Sequence, residues 1–339
     1  MRSGLGILTA VACLLVAACG TGSSSSSGNG AAIPIAFFSV QSANSFATAQ
    51  YKGVQQAAAE MNAQVTEFDA GFNSSTQVSQ ISAAVASHKF KAFVVMPVDG
   101  NADVAPVTDA VAAGIKVVAT FNTVSHDVTA VTPGVPGMTA TVASPLYKNG
   151  QHLAQLTIDA CAGKNPCKVI YMPGNFSQAS EQSRLSGLNQ YLQQKGPNVK
   201  IVAQQVGGYQ VDPAEQAMSA LLQAHPDVNV FTTSGDQMAV GGQQALQNAN
   251  LLGKVVIVGN GGSIQGIAAV RNGTWFATPV NVPFQEGNQA TKLAIQAVQG
   301  KKVPSSIDSD TLSPIGPIAT KQSLSTPAGQ AFKGEWSAI

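Results

Sequence analysis

The sequence predicts an α/β protein built as two doubly wound lobes, and three observations carry that prediction. From Ile33 onward, short β-branched runs alternate with amphipathic helical windows, the pattern of repeated βα units. The strand runs are apolar throughout rather than alternating, as a parallel sheet covered on both faces requires. The part after Gly30 is about 310 residues long, beyond the size at which one hydrophobic core stops growing. Its units fall into two series of similar length, divided near Ser144.

The first series opens with a strand over 33–40, Ile-Pro-Ile-Ala-Phe-Phe-Ser-Val, followed by a helix over 47–61 that contains Gly53. A strand over 64–69 and a helix over 75–87 come next, then Ala-Phe-Val-Val-Met as a strand over 92–96 and a helix over 102–113. Strands over 116–120 and 139–143 complete the series. In the second, helices over 148–160, 180–195, 213–224, 237–248 and 284–299 alternate with strands over 168–172, 200–205, 228–232, 254–258 and 274–280.

Ahead of both series lies an apolar run from Leu5, preceded by Arg2 and too short to span a bilayer, which takes about 20 helical residues. It reads as a signal peptide over 1–18. Leu15-Val16-Ala17-Ala18-Cys19 resembles the lipobox of bacterial lipoproteins, which implies lipidation at Cys19 and attachment to the membrane through that lipid. The Gly/Ser stretch that follows, 19–30, cannot bury enough apolar surface to order itself and reads as a flexible tether. Beyond Gly30 no apolar run is long enough to cross a membrane, so the body is expected outside the cytoplasm, tethered rather than embedded.

Eighteen Lys and Arg against 17 Asp and Glu argue against a nucleic-acid surface. Charged residues make up 10% of the chain, where about 25% is usual, and amides and hydroxyls take their place. Of four cysteines, Cys13 leaves with the leader and Cys19 carries lipid. Cys161 and Cys167 remain in a short turn, where a local disulfide is expected in an exported protein. Such a small loop contributes no more than about 2 to 3 kcal/mol.

Ligands of open α/β sheets sit beyond the carboxyl ends of the strands. Those ends carry Asn44 and Phe46, Asp99 and Asn101, then Phe121, Asn122 and Thr123 in the first half. The second half supplies Arg184, Tyr209, Ser234 with Asp236, Asn260 and Asn281. Amides and a guanidinium match adjacent hydroxyls, and aromatic rings cover the C–H face of a sugar or polyol, so the set points to a neutral polyhydroxy ligand. Structural roles compete for each member. Asn44 and Asn122 suit turn bridges, Phe46 suits the core, Asp236 suits a helix N-cap, and Arg184 suits a surface ion pair with Glu181.

Enzyme signatures are missing from the sequence. Gly259-Asn260-Gly261-Gly262-Ser263-Ile264 has Ile264 where a dinucleotide fingerprint needs its third glycine, and neither a phosphate-binding P-loop nor a nucleophile elbow occurs. His88, His126, His152 and His225 are scattered without the spacing of a metal site. We expect no catalytic residue, no cofactor and no metal.

Ala43-Asn44-Ser45-Phe46, Ala113-Gly114-Ile115-Lys116-Val117-Val118, 221–228, Gly235-Asp236-Gln237-Met238-Ala239-Val240-Gly241 and Val256-Ile257-Val258-Gly259 together resemble the periplasmic sugar-binding proteins of ABC transporters. The match is to the ribose-binding-like group within the LacI/periplasmic-binding-protein type I family. The resemblance implies two Rossmann-like lobes joined by a three-crossing hinge, with 31–144 plus 282–306 in one lobe, 145–281 plus 307–320 in the other, and 321–339 as a surface tail. It also implies ligand contacts from Asn44, Phe46, Arg184, Tyr209 and Asn281. Other positions depart from the family pattern. Ala47 replaces an aromatic, Phe121-Asn122 an Asp-Arg pair, Gly235 an Asn, and Gly261, beside Asn260, an Asp.

The function implied is capture of a neutral sugar or polyol by a monomer that delivers it to an ABC permease. Other readings on the same residues are a signalling ligand such as a furanosyl autoinducer, a chemoreceptor role and an exported enzyme. A matched acid–base pair among the strand ends would mark the enzyme.

Overall fold

The chain from Ile35 to Ser39 is buried throughout, so the strand that contains it needs cover above and below. The computed structural model describes residues 31–127, 129–176 and 178–339. The leader over 1–18, Cys19 and the tether lie outside the described residues.

The first series consists of β1 (Ile33–Ser39), α1 (Ser45–Glu60), β2 (Ala63–Asp69), α2 (Ser74–Ala86), β3 (Ala92–Val95), α3 (Val104–Ala112), β4 (Lys116–Phe121) and β5 (Ala140–Ala143). The second runs α4 (Leu146–Ala160), β6 (Cys167–Met172), α5 (Ala179–Lys195), β7 (Val199–Gln204), α6 (Val211–Ala224), β8 (Val230–Thr233), α7 (Asp236–Asn248), β9 (Val256–Val258), α8 (Ile264–Asn272) and β10 (Ala277–Pro279). After these come α9 (Pro283–Val298), β11 (Ser306–Asp308), a 3-10 turn (Ser309–Leu312), β12 (Ile318–Thr320), α10 (Lys321–Ser325) and α11 (Pro327–Ala331).

Two six-stranded sheets result, ordered β11-β5-β4-β3-β1-β2 and β12-β10-β9-β8-β6-β7. All neighbours are parallel except β12, which runs antiparallel to β10. Within each lobe the order reverses beside its first strand, β1 or β6, which opens a crevice at the strands' carboxyl ends. Apolar clusters on both faces of each sheet form the cores. Among the described residues no helix is long and apolar enough to cross a membrane. Cys161 and Cys167 are bonded, with Cα atoms 5.7 Å apart.

Three features differ from the sequence expectation. β11 lies wholly in the first sheet through Asp308, pairing with β5, so the third crossing falls over 309–317 and not between 306 and 307. The segment 321–339 is not a surface tail. Leu324, Phe332, Trp336 and Ala338 are buried in it, because its apolar residues have two cores within reach. Finally, α8 fills the stretch between the strands expected over 254–258 and 274–280, where the sequence reading places no helix. Ser263 caps it by accepting from the Gly266 N–H, and Gly273, at φ 86°, ends it in the left-handed conformation.

The three crossings meet at Glu286, a fully buried carboxyl in the first turn of α9. It accepts from Ser144 Oγ at 3.1 Å and from Gln50 Nε2 at 3.2 Å, and Ser144 in turn contacts Ser309 at 2.9 Å. Burial pushes Glu286 up to about 7 against the hydrogen bonds of Ser309 and Ser144, with Glu335 and Asp310 adding to the rise. Asp103, at the start of α3, is also fully buried, and neither carboxyl oxygen has a partner. Burial and the nearby Asp99 push it up to about 8.

Both folded values exceed the ordinary carboxyl range of about 4, so the native state binds more protons than the unfolded chain at intermediate pH. Their contribution to stability is full below about pH 4 and is lost as pH rises through about 7 and 8. We expect the melting temperature to fall between pH 5 and pH 8.5, and the double variant Glu286→Gln, Asp103→Asn to remove most of that fall. A slope unchanged in the double variant would refute this origin.

Candidate ligand-binding site

The crevice between the lobes encloses a cavity of about 70 Å³, room for several water-sized groups. Asn44, Phe46, Phe121, Asn122, Arg184, Tyr209, Asn260 and Asn281 all line it.

Lobe one delivers its share through the ends of β1 and β4. Asn44 caps α1, its Oδ1 accepting from the Phe46 and Ala47 N–H groups at 3.0 and 3.2 Å, so its structural role and its place at the cavity coexist. Phe46 likewise is both core and lining, packed edge-on against Phe121 with ring centroids 5.0 Å apart. Asn122 donates from Nδ2 to the Pro97 carbonyl at 3.2 Å, while its Oδ1 is buried without a partner. An unpaired buried acceptor costs about 1 to 3 kcal/mol, which a ligand hydroxyl would recover.

Three lining residues hold left-handed backbone without being glycine, Phe72 at φ 57°, Phe121 at φ 65° and Tyr209 at φ 55°. Conformations of this kind cluster at ligand clamps. Tyr209 is seated by two glycines. A Cβ at Gly174 would stand 2.0 Å from its ring and one at Gly235 2.9 Å, so the glycine before Asp236 makes room for the tyrosine.

Lobe two holds its polar groups in one buried network. Arg184 donates from Nε to Asn149 Oδ1 at 2.9 Å, and from Nη1 to Glu181 at 3.0 Å and Tyr209 at 3.2 Å. Among the described residues its Nη2 makes no hydrogen bond. Arg184 and Glu181 are 2% and 0% exposed, so their ion pair is a core feature and not the surface pair that the i, i+3 spacing suggests. Glu181 also accepts from the hydroxyls of Tyr171 (2.8 Å), Ser234 (2.6 Å) and Tyr209 (2.6 Å) and from the Gly174 N–H (3.1 Å). Burial works against the Arg184 cation, but Tyr209, Glu181 and Tyr171 hold its pKa above the ordinary value. Burial and Glu181 likewise raise the Tyr209 phenol. Asn149 passes the network to Asn260 through two reciprocal bonds of 3.2 and 2.9 Å.

Asp236 is the exception among the expected ligand contacts. It is fully buried behind the cavity wall, where its carboxylate accepts from the N–H groups of Asn260 (2.9 Å) and Ser263 (2.7 Å) and the hydroxyls of Ser263 (2.8 Å) and Thr278 (2.9 Å). Burial raises its pKa despite these four donors. Gly235, and not Asp236, stands at the N-cap, and Asp236 begins the helix. Asp236 thus positions Asn260 and does not touch the cavity. Asp99 is also spent locally, capping the Asn101 and Ala102 N–H groups.

Sequence reasoning missed Trp336, Gln237, Gln178, Ser180 and Phe72, all of which line the cavity. Gln178 and Ser180 flank the start of α5 just after a strand end, a position that strand-end reading covers in principle. No local signal marks Trp336. Among the described residues the lining contains a single charged side chain, Arg184, and Glu181 balances it 3.0 Å away. Such a site favours a neutral ligand that offers hydroxyls to the amides and carbon to the rings.

A model of the periplasmic binding protein domain family matches residues 35–302. The chain belongs to that family. Among its relatives is the ribose import binding protein of Bacillus subtilis, 28% identical over 266 residues, covering 78% of this chain and 81% of that protein. The D-allose-binding periplasmic protein of Escherichia coli is 29% identical over 136 residues, 40% of this chain and 43% of that protein. Of solved structures, an ABC transporter solute-binding protein from Mycobacterium smegmatis with bound glycerol is similar at a TM-score of 0.74 and 25% identity, covering 91% of this chain and all of that one. One from Agrobacterium vitis with bound D-fucose shares the fold, with TM-score 0.77, 24% identity and coverage of 88% and 99%. The chain is thus a type I periplasmic sugar-binding protein by family, with the two-lobed architecture of its structural neighbours.

Proposed function

We propose that this protein captures a neutral sugar or polyol between its lobes, outside the cytoplasm, and delivers it to an ABC permease. The observation that carries the reading is the charge-balanced cavity, in which amides and the Arg184 guanidinium face three aromatic side chains from lobe one and the C-terminal segment, Phe46, Phe121 and Trp336. The ligands named for its relatives, ribose and allose among them, support the same class. Capture and hinge closure need no bond breaking, and the two nearby buried carboxylates, Glu181 and Asp236, are committed to holding neighbouring groups in place.

A thermal-shift screen of the purified protein against pentoses, hexoses and alditols tests this. A ligand present at 100 times its dissociation constant is expected to stabilise by about 2.7 kcal/mol. The reading fails if no polyhydroxy compound raises the melting temperature while a charged amino acid or nucleotide does.

We further propose that Cys19 carries the membrane anchor. Cys19→Ser is expected to abolish incorporation of labelled fatty acid and to shift the protein from the membrane fraction to the soluble one. Retention of the variant in the membrane fraction would rule out a lipid anchor at this cysteine.

A further inference from the structure

The cavity has two unlike walls. Lobe one supplies mostly carbon, from Val40, Phe46, Phe72, Met96, Val98 and Phe121, with Asn44 and Asn122 as its polar members, while lobe two supplies amides, hydroxyls and the guanidinium. Trp336 extends the apolar wall, although it comes from the C-terminal segment. Its ring stands edge-on to Phe46, centroids 5.4 Å apart at 80°.

Trp336 is held firmly. Its Nε1 donates to the Gly261 carbonyl at 3.0 Å, and its own carbonyl accepts from the Ile264 N–H at 2.9 Å. On either side, Gln265 Nε2 donates to Ser337 at 2.9 Å, the Ala338 N–H to Gln265 Oε1 at 2.8 Å, and the Gln285 N–H to Glu335 at 3.3 Å. A Cβ at Gly261 would lie 2.6 Å from the indole, so a side chain there would evict the ring. The one polar atom of the indole is engaged with backbone, which leaves only carbon to meet a ligand. A ligand hydroxyl turned toward the rings of Phe46, Phe121 and Trp336, rather than toward the Asn122 amide beside them, finds no partner, and an unpaired buried hydroxyl loses roughly ten- to a hundred-fold in affinity.

We propose that Trp336 is a specificity-determining residue, completing an apolar wall that selects a sugar with one unhydroxylated face, a deoxy sugar, over its fully hydroxylated parent. This rests on the sugar reading above.

The test is calorimetric titration of the purified protein with matched pairs: D-fucose against D-galactose, L-rhamnose against L-mannose, and 2-deoxy-D-ribose against D-ribose. In at least one pair the deoxy member is expected to bind about tenfold tighter or better. Trp336→Ala is expected to shrink that ratio to about twofold or less, and Trp336→Phe to preserve most of it. The wild-type ratios test the wall even if the alanine variant does not fold. If every parent that binds does so as tightly as its deoxy partner, the wall does not select and the inference falls while the sugar reading stands. A deoxy preference that survives Trp336→Ala in folded protein removes Trp336 from the role. If none of the six sugars and no compound of the wider polyhydroxy screen binds, the sugar reading fails and takes the inference with it.

Discussion

Replacing Glu181 by alanine is expected to abolish ligand binding and to lower stability by about 3 to 5 kcal/mol, the cost of leaving a buried charge without its partner. Glu181 is fully buried and serves five donors at once, among them Arg184 Nη1 at 3.0 Å and the Tyr209 hydroxyl at 2.6 Å. Its removal leaves the buried guanidinium without a counter-ion and takes away the acceptor of the Tyr209 hydroxyl, in a tyrosine that already holds a left-handed backbone. Glu181→Gln keeps shape and one acceptor but not the charge, so an intermediate loss is expected. Urea denaturation read together with calorimetric titration checks both effects. A stability change under about 1 kcal/mol for Glu181→Ala would mean the pair is not worth what its burial implies.

Gly150→Ala is expected to disrupt lobe two and ligand binding together. At the crossing of α4 and α5, a Cβ on Gly150 would sit 2.0 Å from the Arg184 carbonyl oxygen, and one on Gly187 2.0 Å from the Tyr147 carbonyl. These are backbone obstacles, which cannot rotate away, so the helices must part. Arg184 then moves with α5, away from Asn149, which sits one residue before Gly150 on α4. A destabilisation of at least about 2 kcal/mol is expected, with affinity falling even in the folded fraction. A variant with wild-type melting temperature and affinity would show that the crossing yields without cost.

The site was partly legible because its chemistry sits where βα units must end. Asn44 and Asn122 follow β1 and β4, Asn260 follows β9, and each could be found by asking which polar residues lie beyond an apolar run. The same reasoning named Asp236 and misjudged its direction, since the side chain of the first residue of α7 turns inward to Ser263 and Thr278. Glu181 was visible only as a possible surface partner of Arg184. Its burial depends on Tyr171 and Ser234, from two other strands' ends, which no helical spacing reports. Gly261 was visible as a departure from the family pattern, but the use of the space it leaves was not: Trp336 is 75 residues away in the chain.

By itself, the sequence determined the alternation of strands and helices, the doubling of the lobe, and the neutral, amide-rich character of the strand ends. These follow from hydrophobic period and residue type, which act over a few neighbouring positions. Only the tertiary structure decided which polar groups face the cavity and which hold others in place, that β11 stays in the first sheet through Asp308, and that the last residues fold back to lend Trp336 to the pocket. Those outcomes depend on contacts between distant segments, where a side chain's role is set by what is packed beside it.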